Sequence, residues 1–132
     1  MLHLSCYSPN DLVAVGEKYG FHATSSHGYD YITGGGGMIF SKELVKHLAD
    51  PRICHCPSID TPDDMLLGLC LKHLTVPIIH SRLFHQGRPA DYPQKLLQYE
   101  QPVSFHKFWM VDPLDVYAKW LERPDINDHV EL

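Results

Sequence analysis

The sequence has no long apolar run, no excess of positive charge and no secretory-signal pattern at its start. No stretch approaches the roughly 20 apolar residues that a membrane-spanning helix needs. Lys and Arg number 11 against 16 Asp and Glu, so the net charge is −5, which disfavours a sequence-independent grip on nucleic-acid phosphates. Residues 1–12 lack the basic start and apolar core of a secretory signal. A hydrophobic fraction of 44% with 20% charged residues is instead typical of a globular domain.

Closely spaced cysteine pairs are also scarce, because only Cys54 and Cys56 are near neighbours among the four cysteines. Their C-x-C spacing is tighter than that of common zinc sites, although Cys70 and His73 could complete one. In an oxidising compartment we expect a disulfide from Cys54 or Cys56 to Cys70 instead, with Cys6 free or paired elsewhere.

Helical and strand patterns alternate along the chain, which predicts an α/β architecture. Ser41 is a good N-cap for a helix over 42–49, and Leu44, Val45 and Leu48 would share one face of it. We expect strands on both sides of a glycine quartet, at 76–81 and at 103–109, and a loop with one helical turn at 83–102.

A second predicted helix begins at "TPDD". Thr61 suits the N-cap and Pro62 the first helical position, and the Asp64 carboxylate at the third position can accept a hydrogen bond from the Thr61 amide. The helix interior at 65–71 is apolar nearly all round, which indicates burial on most faces. Gly68 in mid-helix costs about 1 kcal/mol relative to Ala, so we expect it to permit close packing.

A third predicted helix repeats this start, with Asp112 as cap and Pro113 in the first position. Leu114, Tyr117 and Leu121 would line one apolar stripe. For Trp109 and for Trp120, beside that stripe, we expect core packing.

Two features leave their roles open on the residues alone. Asp63 and Asp64 either cap a helix or hold a proton acceptor at the lip of a cleft. The quartet Gly34–Gly37 is either a tight turn or part of a site. It joins strand to strand without the pattern G-x-G-x-x-G, so a phosphate cradle is a poor interpretation.

Four ordered motifs carry a family resemblance. The chain resembles the C-terminal half of the fringe-like inverting β-1,3-glycosyltransferases (glycosyltransferase family 31). The motifs are "YITGGGGMIFSKELVKHL", "TPDDMLLGLCL", "VPIIHSRLFHQGRPADYP" and "PVSFHKFWMVDPLDVYAKWL".

The resemblance implies an α/β, Rossmann-like fold of the GT-A type, with a UDP-sugar donor and Mn²⁺. Residues 1–122 would be the C-terminal part of the glycosyltransferase domain and 123–132 a polar tail. The family's D-x-D metal motif has no suitable match in this sequence, so we expect the donor-binding half to be absent. A half sheet of this kind would expose an unpaired edge and an apolar face, so we expect the isolated chain to aggregate or to bind chaperones. Without the donor-binding half, activity of the isolated chain is in doubt.

The resemblance also implies roles for individual residues. Asp64 would be the base that takes the acceptor's proton, with Asp63 positioning it, and these two roles could be exchanged. His85 would be a ligand of Mn²⁺. Residues bordering the donor or acceptor sugar would be Gly34, Gly35, Gly36, Gly37, Arg88, Asp91, Tyr92, His106 and Trp109.

Within the family, "LFHQGRPADYP" and "SFHKFW" resemble the members that transfer glucose from UDP-glucose, in β-1,3 linkage, to O-linked fucose on thrombospondin type 1 repeats. Transfer of N-acetylglucosamine or galactose, or a non-catalytic carbohydrate- or protein-interaction half-domain, are the alternatives. The ending "NDHVEL" resembles a retrieval signal of the endoplasmic reticulum, which predicts that lumen, or the Golgi, as the location. A frayed acidic tail is the other interpretation.

Overall fold

The computed structural model describes residues 6–22 and 24–122. It confirms the mixed α/β architecture, with seven short strands and several helices among those residues. No helix in this part of the chain is long and apolar enough to cross a membrane. The predicted retrieval signal at 123–132 lies outside the described residues.

A three-stranded sheet lies at the centre of the fold. Its middle strand is β1 (Ala14–Gly16), which is buried along its whole length. Further along the chain, the segments Met38–Phe40 and Ile78–His80 flank it, the first antiparallel and the second parallel. Strand β1 ends at Gly16, where an added Cβ would lie 2.3 Å from the Ile32 side chain.

Two smaller strand pairs surround this sheet. The ribbon of β2 (Lys18–Phe21) and β3 (Tyr29–Ile32) is antiparallel and directly follows β1. After β3, the glycine quartet leads into β4 (Met38–Phe40), as the sequence predicted. The segment Ile78–His80 is therefore β5, and it is half-buried.

The second small strand pair lies next to the glycine quartet Gly34–Gly37. Strand β6 (Phe84–His85) pairs in parallel with β7 (Ser104–Phe105). The predicted strands at 76–81 and 103–109 therefore exist but are shorter than expected. The prediction of a loop with one helical turn at 83–102 was wrong in part. The segment has a 3₁₀ turn at Pro89–Asp91, but it also contains strand β6 and the helix Gln94–Glu100.

The first helix, α1 (Lys42–Leu48), is capped by the Ser41 side chain, which accepts a hydrogen bond from the Leu44 amide at 3.3 Å. Leu44 is fully buried and Leu48 packs against the same core, as predicted, but Val45 is half exposed.

The second helix, α2 (Asp63–His73), is less buried than its apolar composition predicted. Gly68, Cys70 and Leu71 are buried, whereas most of its other apolar residues are half-buried. A disulfide joins Cys54 to Cys70, which confirms one of the two expected pairings. Cys56 and Cys6 are exposed and free.

The chain continues through α3 (Gln94–Glu100) to α4 (Pro113–Val116), which runs on as a π-helical turn over Tyr117–Leu121. The predicted stripe on this last helix was wrong. Leu114 is 76% exposed and Tyr117 is more than half exposed, while Val116 is buried. Val116 packs with Leu97 and Phe105 in a cluster separate from the one beneath α1.

Candidate active site

Close packing of α2 on β3 determines where the N-terminus of α2 lies. A Cβ added at Gly68 would come within 2.4 Å of the Tyr31 side chain and 2.8 Å of the Asp30 carbonyl oxygen, so only glycine permits this approach. Asp64 lies four residues earlier, on the same face of the helix as Gly68. The packing therefore brings Asp64 over the residues that follow β3.

The Asp64 carboxylate lies against the first glycine of the quartet. Its Oδ2 accepts a hydrogen bond from the Gly34 amide at 3.2 Å, and its Oδ1 accepts one from the Met65 amide at 2.8 Å. The predicted hydrogen bond from the Thr61 amide to Asp64 is not formed, because that amide donates to the Ser58 carbonyl. Asp64 thus contacts the glycine loop with one oxygen and the first turn of its own helix with the other, and it forms no capping box with Thr61.

The Asp63 side chain contacts the backbone of the next residue, Asp64. Its Oδ1 accepts a hydrogen bond from the Asp64 amide at 2.8 Å, and its side chain is exposed. Pro62, and not Thr61, is the N-cap residue of the helix, and it offers no side-chain cap. Both carboxylates therefore lie at the positive end of the α2 macrodipole, which stabilises negative charge.

The glycine quartet is a turn that also serves as a packing surface. The Gly37 amide donates to the Gly34 carbonyl at 3.1 Å, and Gly37 has φ +94°, a conformation that favours glycine. A Cβ at Gly35 would lie 2.1 Å from His106 Nδ1, so the imidazole ring rests directly on the loop backbone. The turn and site interpretations of the quartet are therefore compatible.

The third glycine connects the quartet to the segment around His85. The Gly36 amide donates to Gln86 Oε1 at 2.9 Å, and the Gly36 carbonyl accepts from the Ser104 hydroxyl. A Cβ at Gly36 would lie 3.3 Å from the His85 backbone. The Asp64 carboxylate and the backbone of His85 therefore approach the same four-residue loop, at glycines two residues apart.

His85 is 3% exposed, and its ring is fixed on several sides. Nδ1 lies 3.1 Å from the Ser104 carbonyl oxygen and, because a carbonyl only accepts, this nitrogen carries the proton. Phe105 stacks on the ring, and Tyr92 meets it edge-on with centroids 4.5 Å apart. Nε2 is then the ring nitrogen left to bind a metal, in the arrangement common for metal-ligating histidines.

Two further buried polar atoms in this region have no hydrogen-bond partner among residues 6–22 and 24–122. They are Thr33 Oγ1, which would be 3.3 Å from a Cβ at Gly36, and His106 Nδ1 above Gly35. Buried polar atoms are normally paired, so these two are exceptions within the site.

The pair Arg88 and Asp91 is brought together as an ion pair at 2.9 Å. The hydrogen bond from the Arg88 side chain, followed by that from its backbone amide, holds the pKa of Asp91 below its usual range. These two residues satisfy each other, and their assignment to a sugar pocket stays a prediction.

Tyr92 is half-buried, and burial, followed by the nearby Glu17 charge, raises its pKa. Its hydroxyl accepts from the Gly87 amide at 2.9 Å and lies 3.4 Å from Glu17 Oε1. Sequence reasoning missed Glu17 and Gln86 entirely. The only available signal for Glu17 was a charged residue directly after a buried apolar strand.

The two tryptophans differ from each other. Trp120 is half-buried beside Leu97 and Val116, which confirms the expected packing. Trp109 is 76% exposed, so the expectation of core packing was wrong for this residue. It occupies a turn in which the Val111 amide donates to the Phe108 carbonyl at 3.0 Å.

Comparison with known proteins gives consistent matches. The chain matches the Fringe-like family over residues 1–125. It is 51% identical over 122 residues to the β-1,3-glucosyltransferase of Homo sapiens, which covers 92% of this chain and 24% of the human protein. It is 52% identical over 118 residues to the β-1,3-glucosyltransferase of Mus musculus, covering 89% and 24%. The chain thus spans about a quarter of the length of these relatives. No solved structure matches it.

Proposed function

Because the chain belongs to the Fringe-like family, as its motifs predicted, we propose that it forms the acceptor and base half of an inverting β-1,3-glucosyltransferase with a GT-A fold. The family match over most of the chain supports a glycosyltransferase role. The two relatives named β-1,3-glucosyltransferase, at 51% and 52% identity, support glucose as the transferred sugar.

The reaction is a single displacement at the anomeric carbon. The acceptor hydroxyl oxygen forms the new bond while the bond to UDP breaks on the opposite face, and the hydroxyl proton passes to a base. UDP is a good leaving group, so no general acid is needed. One carboxylate suffices, unlike the two that glycoside hydrolysis requires.

Asp64 is the base in this proposal. Its carboxylate lies at a helix N-terminus and is oriented by the Gly34 and Met65 amides. A weak base of this kind acts through placement, because the proton moves as the new bond forms. Asp63 fixes the backbone of Asp64 and so has a supporting role.

Mn²⁺ is the implied cofactor, and His85 would hold it through Nε2. The buried ring with its Nδ1 engaged fits one ligand of such an ion, although Mn²⁺ prefers mostly oxygen ligands. Among residues 6–22 and 24–122, no three His, Cys, Asp or Glu side chains form a group that could hold a metal, so other ligands would have to come from outside them. When bound, the ion neutralises negative charge that develops on the leaving diphosphate.

The proposed substrates are UDP-glucose and O-linked fucose on thrombospondin type 1 repeats, in the lumen of the endoplasmic reticulum. The motifs around His85 and His106 support this acceptor by resemblance. Asp64 is half-exposed beside the glycine loop, so in this proposal the incoming sugar hydroxyl would reach its carboxylate from the solvent side.

The observation that carries the proposal is that one glycine loop is contacted by the Asp64 carboxylate at Gly34 and by the His85–Gln86 segment at Gly36. The test is to assay the natural protein that carries this chain with UDP-glucose, UDP-galactose and UDP-N-acetylglucosamine on a fucosylated thrombospondin repeat. In parallel, this chain replaces the matching segment of the human β-1,3-glucosyltransferase. We expect both proteins to transfer glucose preferentially and to require Mn²⁺. Acceptor binding without any transfer by either protein would instead assign a non-catalytic interaction role.

A further inference from the structure

The residue that joins β1 to β2 makes contacts that its position in sequence does not suggest. Glu17 follows the buried strand β1, and its side chain reaches the segment after β6, 69 residues further along the chain. Its Oε2 accepts a hydrogen bond from the Gln86 amide. A hydrogen bond from a backbone amide to a carboxylate is charge-assisted and therefore stronger than most.

Glu17 also organises the next residue through Tyr92. The Gly87 amide donates to the Tyr92 hydroxyl at 2.9 Å, and this hydroxyl donates to Glu17 Oε1 at 3.4 Å. The two amides that directly follow His85 are thus both restrained by one carboxylate, the first directly and the second through a phenol. Tyr92 meanwhile packs edge-on against the His85 ring.

The same segment is fixed to the glycine loop and to β7. Gln86 accepts from the Gly36 amide at 2.9 Å through its side chain, and the His85 carbonyl accepts from the His106 amide at 3.0 Å. A cavity of about 200 Å³ adjoins Glu17, His85 and Tyr92. Glu17 therefore contacts the segment that carries His85, and this segment contacts the glycine loop through Gln86. Asp64 binds the same loop at Gly34.

We propose that Glu17 is a positioning residue, which restrains the backbone after His85 and so sets the distance between this imidazole and the glycine loop. The inference rests on the proposed function for its catalytic consequence. Its structural part, the restraint of the Gln86 and Gly87 amides, stands on the contacts alone. Residues that orient a metal ligand from behind typically change metal affinity or activity by about 10- to 100-fold when removed.

The test compares Glu17→Ala, Glu17→Gln and Tyr92→Phe in the natural protein that carries this chain. Gln keeps an acceptor for the Gln86 amide and removes the charge, so it separates positioning from electrostatics. Glu43→Ala is the matched control, because the Glu43 carboxylate pairs with Lys46 of the same helix and, within the described residues, makes no contact with the segment after His85. The readouts are hydrogen exchange at the Gln86 and Gly87 amides, the Mn²⁺ concentration for half-maximal activity, and kcat and KM for UDP-glucose.

We expect Glu17→Ala to speed exchange at Gln86 by about tenfold, as loss of a charge-assisted hydrogen bond implies. It should also raise the half-maximal Mn²⁺ concentration and lower kcat/KM by about 10- to 100-fold. Glu17→Gln should restore most of both properties, Tyr92→Phe should affect mainly the Gly87 amide, and the control should leave all of them unchanged.

The outcomes that overturn the proposal are distinct from those that overturn the function. Unchanged exchange at Gln86 in Glu17→Ala would remove the restraint itself. Faster exchange with unaltered Mn²⁺ dependence and turnover would show a structural residue without a positioning role, while the transferase assignment stands. If Glu17→Gln is as impaired as Glu17→Ala, the charge of Glu17 and not its positioning of the backbone is what matters. If the unaltered protein transfers no sugar, both the function and the catalytic part of this inference fail.

Discussion

The N-termini of α2 and α4 share one sequence pattern, a capping residue followed by Pro, any residue and Asp, yet the two helices use it differently. In α4 the Asp112 side chain accepts from the Leu114 amide at 2.8 Å, and Pro113 is the first helical residue. In α2 the Thr61 amide donates to Ser58, and Asp64 turns to the Gly34 amide.

This difference has a tertiary cause. The α2 helix contacts β3 through Gly68, which brings its first turn to the glycine loop. The first turn of α4 is largely exposed, and nothing in the described part of the chain draws Asp115 away from solvent. Local capping therefore determines the orientation of the side chains at the start of α4, where no distant partner is near. At the start of α2 the distant Gly34 amide determines the orientation of Asp64 instead.

A departure from a strong local pattern is informative for this reason. A carboxylate that could complete a capping box but instead binds an amide 30 residues away has been placed by the fold. Local patterns are broken most often at functional sites. The comparison of the two helix starts therefore supports Asp64, among the acids at these two positions, as the functional one.

The largest expected effect separates these two acids by activity. We predict that Asp64→Asn lowers kcat by about 10²- to 10⁴-fold, because an amide cannot accept the proton, while UDP binding is unchanged. Asp115→Asn is the matched control, since it changes an acid at the equivalent position of α4, and it should leave kcat unaltered. Steady-state kinetics and UDP calorimetry provide the measurement. Near-normal turnover in Asp64→Asn would remove Asp64 from the mechanism.

The second prediction concerns the covalent tether of α2, because the Cys54–Cys70 disulfide holds this helix and α4 contains no cysteine. Replacing both cysteines by Ala should destabilise the α2 region by about 3 kcal/mol, as expected for a closed loop of this size. Thermal unfolding with and without reductant measures the effect. Cys6→Ala, at an exposed free cysteine, is the control. Equal melting temperatures for all variants would mean that packing alone fixes α2.

The third prediction compares a glycine and an alanine in the two helices. Alanine normally stabilises a helix relative to glycine, but at position 68 we expect the opposite. Gly68→Ala should destabilise the protein by about 1–2 kcal/mol, because the added Cβ meets Tyr31 and the Asp30 carbonyl, and this overpacking exceeds the gain in helix propensity. Ala118→Gly, at an exposed position of the last helix, should also destabilise, by about 1 kcal/mol, through propensity alone. Chemical denaturation measures both. Stabilisation by Gly68→Ala would contradict the close approach.

Sequence reasoning succeeded where the deciding interaction is local. Ser41 and Asp112 cap their helices, and the glycine quartet turns strand into strand, as expected from neighbouring residues alone. The role of Gly68 was also foreseeable, because a glycine that interrupts an apolar helix commonly marks a close packing contact.

It failed where the deciding partner is distant in the chain. Glu17 reaches Gln86 across 69 residues, and Gln86 reaches Gly36 across 50, so no short pattern records either contact. The helix Gln94–Glu100 was missed because it is brief and is stabilised by burial of Leu97 against Phe105. The family resemblance supplied the proposed roles of Asp64 and His85, which the residues alone left open.

The smallest expected effect concerns the residues that precede the two helices, Asp112 before α4 and Thr61 before α2. Asp112→Ala should destabilise the start of α4 by about 1 kcal/mol, because the Leu114 amide loses its acceptor. Thr61→Ala should change the stability of α2 by less than about 0.5 kcal/mol, since its side chain makes no cap hydrogen bond. Hydrogen exchange at the Val116 and Leu66 amides, which follow the respective first turns, reports each helix separately. The contradicting result is that Thr61→Ala reduces protection at Leu66 as much as Asp112→Ala reduces it at Val116. That result would mean that both helices are capped alike, and the geometric argument that singles out Asp64 would lose its basis.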